Sequence, residues 1–70
     1  MSYRVVLNWG SKERGREILN WIDSHCQSFE GLYSRPVNPS KPFIFENVNM
    51  ELWFGDEQDA LLCDLKWNFN

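Results

Sequence analysis

The chain has one histidine and two cysteines. The cysteines, Cys26 and Cys63, form no Cys-x-x-Cys pair. A zinc centre takes four Cys, His or carboxylate ligands, and no second histidine exists to complete a usual set with His25 and Cys26. These shortages predict no metal, no cofactor and no disulfide framework, and both thiols read as reduced packing residues. A Cys-His hydrolase would also need a base, an orienting group and an oxyanion site in a cleft, for which 70 residues leave little room. The reading is therefore of a protein without catalysis of its own.

Long apolar runs are missing too, so nothing predicts a membrane span, and Met1 leads into a strand-like segment rather than a signal sequence. Both features predict a cytoplasmic protein. Positive charge is in short supply: seven Lys and Arg stand against ten Asp and Glu, a net charge of −3. That balance argues against broad non-specific binding to nucleic acid, which depends on neutralising phosphates. The three prolines all fall in residues 36–42, and there is no repeat, linker or low-complexity tract. One domain, 1–70, is expected. It is small for unaided folding, but 16% of its residues are aromatic and four are Trp, and large rings compensate for short length.

The organising stretch is Glu51 to Trp67. Leu52 and Phe54 alternate with Glu51 and Trp53, as in a strand with one face on a core. Gly55 ends that strand, and Asp56 can accept the free amide hydrogens of a following helix whose first turn carries Glu57 and Asp59. Ala60 and Cys63 share a face of that helix, and both are small enough to approach a sheet closely. Leu65, Trp67 and Phe69 then alternate with Lys66 and Asn68, which predicts a final strand.

Upstream, Tyr3, Val5, Leu7 and Trp9 alternate with Arg4, Val6 and Asn8 in a first strand ending at Gly10. Ser11 caps a helix running to about Cys26, with Ile18, Trp21, Ile22, His25 and Cys26 on its inner face. Gly15, on the same side, lets its first turn pass near the backbone beneath. Phe29 to Ser34 is a second, weaker strand with Gly31 as a bulge. Residues 35–42 make an exposed proline loop, the segment expected to be mobile or to touch a partner. Phe43-Ile44-Phe45 resumes extended structure, and residues 42–54 fit either one bulged strand or a hairpin.

The element order is then βαββαβ: an α+β, ferredoxin-like split β-α-β two-layer sandwich, with an antiparallel sheet and two helices on one face. Tyr3, Val5, Leu7, Trp9, Leu65, Trp67 and Phe69 would face the helices. Arg4, Val6, Asn8, Glu51, Trp53, Lys66 and Asn68 would line the open face.

The run from Phe54 to Trp67, with its acidic cap Gly55-Asp56-Glu57, Asp59-Ala60, the apolar position at Cys63 and Leu65-Lys66-Trp67, resembles the endings of small, mostly uncharacterised tailed-bacteriophage proteins. It covers about a fifth of the chain and carries no catalytic residue. The resemblance implies an accessory protein that acts in the host cytoplasm by binding host machinery.

The partner is accordingly expected to be a host protein, bound and inhibited or redirected. The expected contacts are Trp53, Arg4 and Lys66 on the open face, Arg35 and Lys41 on the proline loop, and the acidic Asp56, Glu57 and Asp59. Self-association through the sheet face is a further possibility, since an exposed Trp often anchors an interface. Two alternatives stand beside this one. The open face could stack a nucleotide or single-stranded nucleic acid on Trp53 between Arg4 and Lys66, or the acidic cluster could mimic nucleic acid in a host protein's groove.

Overall fold

The computed structural model describes residues 1–69. Strand β1 (Tyr3–Asn8) leads into α1 (Lys12–His25), β2 (Phe29–Pro36), a short 3-10 turn (Phe45–Asn47), β3 (Val48–Phe54) and α2 (Glu57–Asn68). The architecture is α+β, with a three-stranded sheet in the order β1-β3-β2 and both edge strands antiparallel to β3.

The starts of the helices follow the sequence closely. Gly10 takes a positive φ of 71° at the end of β1, and the Ser11 hydroxyl accepts the Arg14 N–H at 3.0 Å. Asp56 caps α2 by accepting the Gln58 N–H at 2.9 Å. Its own N–H donates to the Ser28 hydroxyl, while the Asp59 carboxylate accepts both the Ser28 N–H and its O–H, at 3.1 and 2.6 Å. The acidic first turn thus ties α2 to the turn between α1 and β2.

One apolar cluster holds the layers together. Val5 and Leu7 of β1, Met50, Leu52 and Phe54 of β3, Ile18 and Ile22 of α1, and Ala60 and Cys63 of α2 are all buried in it. Both helices therefore cover the same sheet face. Central β3 is shielded even at Glu51, which faces the other side.

The final strand is not formed: residues 57–68 are one helix. The segment holds no Gly, Pro or β-branched residue, so nothing ends the helix at Asp64. Cys63 and Trp67, like Leu61 and Leu65, satisfy the helical spacing of four as well as the alternation that suggested a strand. Trp67 is half-buried against the core, but Leu65 and Phe69 are exposed rather than facing inward.

Two smaller expectations also change. Phe43 and Ile44 belong to no strand, and residues 48–54 are one strand rather than half of a hairpin. Strand β2 runs on to Pro36, taking Arg35 out of the loop, and its register shifts between Phe29 and Gly31 as the bulge predicted. His25 is exposed, its ring stacked on Trp21 and its Nδ1 2.9 Å from the Trp21 carbonyl oxygen.

Candidate functional site

The open sheet face is set by register. Arg4, Trp53 and Gly31 form one row across the three strands; Val6, Glu51 and Tyr33 form the next; Asn8, Asn49 and Arg35 the third. Glu51 sits at the centre, only 7% exposed. Its carboxylate lies 3.6 Å from Arg4 Nη1 and pairs on its other oxygen with Arg35 Nε. A shielded carboxylate needs such partners, because an uncompensated one is costly to remove from water. The Arg4 guanidinium also lies 5.9 Å from the Trp53 ring centroid. Asn8 donates to Asn49 at 3.1 Å.

Arg4, Arg35 and Trp53 are thus brought together, and Arg35 acts from the sheet rather than the loop. Lys66 is not part of this face. It lies on α2, its Nζ 5.5 Å from the Trp67 ring centroid, because the strand meant to carry it is helix; Asn68 leaves the face for the same reason. Lys41 is exposed on the loop. Asp56 and Asp59 are occupied in capping and in binding Ser28, and Glu57 is exposed. Among the described residues, no three His, Cys, Asp or Glu side chains are placed to hold a metal ion.

A second surface, absent from the sequence reading, lies on the helical side of the sheet at the end where β1 stops. Trp9, Phe43, Ile44, Phe45 and Val48 line a groove of about 340 Å³, with Ser34 and Glu46 as its polar members. Phe45 packs against Trp9 at 5.4 Å between centroids. The loop beneath is clamped: the Asn47 side chain accepts the Asn38 N–H and donates to the Asn38 and Pro42 carbonyls, each at 3.1 Å, and the Val37 N–H donates to the Asn47 carbonyl at 2.7 Å. The sequence signal for this groove is the run of three large apolar residues Phe43-Ile44-Phe45 directly after the prolines, which reads equally as extended structure.

The two thiols lie in the core, and neither is in a disulfide. Burial pushes Cys63 up from the ordinary thiol value of 9.0 to about 12, with Cys26 and Asp64 adding to the effect. Burial, then Asp59, raises Cys26 in the same direction. Thiolate is the reactive form, so both cysteines are expected to resist a thiol reagent in buffer and to react fully in denaturant. The raised pKa makes the folded chain hold its thiol proton more tightly than the unfolded chain. This contribution to stability is complete below pH 9.0 and is lost as pH rises towards 12. Denaturant midpoints measured across that window check the sign.

Among the described residues, no helix is long and apolar enough to cross a membrane. No protein-family model, curated protein or solved structure matches the chain.

Proposed function

We propose that the chain is an interaction module without catalysis of its own, which receives an apolar side chain of a partner protein in the groove of Trp9, Phe43, Ile44, Phe45 and Val48. The observation that carries this reading is the run Phe43-Ile44-Phe45, whose residues are 42 to 68% exposed on a loop held by the Asn38–Asn47 clamp. A contiguous apolar patch of this kind marks an interaction surface, and a fixed loop loses little entropy on binding. Glu46 at the groove favours a partner segment with Lys or Arg beside its apolar anchor. The likeness of residues 54–67 to phage accessory proteins makes a bacterial host protein the partner class to try first, blocked or redirected by binding alone.

Glu51 weighs against the nucleotide reading. It takes up the charge of Arg4 and Arg35, so the two arginines and Glu51 together offer one net positive charge, and Lys66 is elsewhere.

The test is capture from bacterial lysate by wild type, Ile44→Asp and Trp53→Ala, washed at low and high salt. Ile44 is exposed, so its variant should fold normally. The expected result is one stoichiometric protein lost with Ile44→Asp, by about 2 kcal/mol or 30-fold if Ile44 behaves as an interface hot spot. Loss with Trp53→Ala alone would move the site to the open sheet face. Recovery of nucleic acid without protein would overturn the proposal.

A further inference from the structure

Helix α2 turns Ala60, Cys63 and Trp67 towards the core and leaves its leucines exposed. Ala60 and Cys63 are buried, whereas Leu61, Leu62, Leu65 and, at the C-cap just past the helix, Phe69 are 46 to 72% exposed. A helix that only covered a sheet would place its leucines inward. Gln58, Leu62, Leu65 and Phe69 follow one another at spacings of four, three and four, the seam that one helix presents to another in a coiled coil, with Leu61 flanking it.

We infer that α2 packs antiparallel on α2 of a second copy of this chain, forming a two-fold dimer. Charge selects the occupant and its direction. The first turn carries Glu57 and Asp59 behind the Asp56 cap, and the last turn carries Lys66. An antiparallel partner brings each acidic end beside the other chain's Lys66 and opposes the two helix dipoles, whereas a parallel partner sets Asp56 and Glu57 against their own copies. A two-fold axis between Leu62 and Leu65 places each of them against the other in the second copy, and Gln58 against Phe69, so one patch is complementary to itself. An anionic bilayer fits less well, because interfacial helices carry Lys and Arg beside their apolar face and α2 carries Lys66 against Glu57, Asp59 and Asp64. The dimer leaves the Phe43–Phe45 groove and the open sheet face on other surfaces.

The test is sedimentation equilibrium of the full chain from micromolar to millimolar concentration. Wild type should approach twice the chain mass of 8.4 kDa, while Leu62→Asp and Leu65→Asp stay at the chain mass with unchanged circular dichroism. A mixture of Gln58→Cys and Phe69→Cys chains should form an intermolecular disulfide, and Gln58→Cys alone should not. Ile44→Asp should remain dimeric, which separates this inference from the groove proposal. A monomeric wild type, a dimer that survives both aspartates, self-linking of Gln58→Cys, or binding to anionic vesicles as a monomer would each overturn it.

Discussion

Gly15→Ala is expected to destabilise the chain by about 1–3 kcal/mol, the usual cost of overpacking a core, although alanine is the better helix former by roughly 1 kcal/mol. A Cβ built at Gly15 falls 1.9 Å from Trp9 Cε3 and 2.0 Å from Cζ3. The indole therefore rests directly on the helix backbone, where no side chain fits until the ring moves. A domain of this size loses about 4–8 °C in Tm per kcal/mol. Thermal unfolding reads the loss, and near-ultraviolet circular dichroism reads the shifted ring. The control is Gly31→Ala, where an added Cβ meets nothing within 4 Å; it should be neutral or slightly stabilising through the unfolded chain. Equal or raised stability for Gly15→Ala would remove Trp9 from that contact. Trp9 also lines the Phe43–Phe45 groove, so the same substitution should weaken partner capture.

Phe54→Ala should cost more, about 3–5 kcal/mol. Phe54 is fully buried on the central strand, and its ring lies 5.6 Å from that of Phe29. Domains hold about 0.05–0.15 kcal/mol of stability per residue, so a chain this short has little to spare and the variant should be largely unfolded at room temperature. Far-ultraviolet circular dichroism and urea titration measure this. The comparison is Phe43→Ala, which removes the same side chain from an exposed site and should change stability by at most about 0.5 kcal/mol. A native-like midpoint for Phe54→Ala would place that ring outside the core.

The groove and α2 assign separate tasks to separate surfaces. In the groove, Phe43, Ile44 and Phe45 stay exposed on a loop held by the Asn38–Asn47 clamp; on α2, the leucines stay exposed because Ala60, Cys63 and Trp67 occupy the side towards the core. The open sheet face differs from both: its central charge is compensated within the chain by Arg4 and Arg35.

Much of the fold was legible because local chemistry and tertiary packing agree there. Alternation in residues 3–9 and 50–54, the Ser11 and Asp56 caps and the bulge at Gly31 each depend on neighbours in sequence, and each is found. Period alone places Arg4 and Trp53 on the open sheet face, whereas Arg35, which the prolines assign to the loop, reaches that face only because β2 runs on to Pro36. Where two periods fitted one segment, sequence could not choose. Leu65, Trp67 and Phe69 satisfy a strand and Leu61, Leu65 and Phe69 satisfy a helix, and only packing of Cys63 and Trp67 against the core selects the helix. Register across three strands placed Glu51 between Arg4 and Arg35, residues 47 and 16 positions away, a pairing no local pattern encodes. Likewise, contacts from Asn47 to Asn38 and Pro42 turned a proline-rich loop into a clamped support for Phe43, Ile44 and Phe45. Sequence by itself determined β1, α1, β2, the strand ending at Phe54, the two helix caps and the inward faces of residues 3–7 and 50–54, because these follow from residues a few positions apart. Tertiary structure alone decided which charges meet and which apolar residues stay uncovered, because both depend on segments brought together from across the chain.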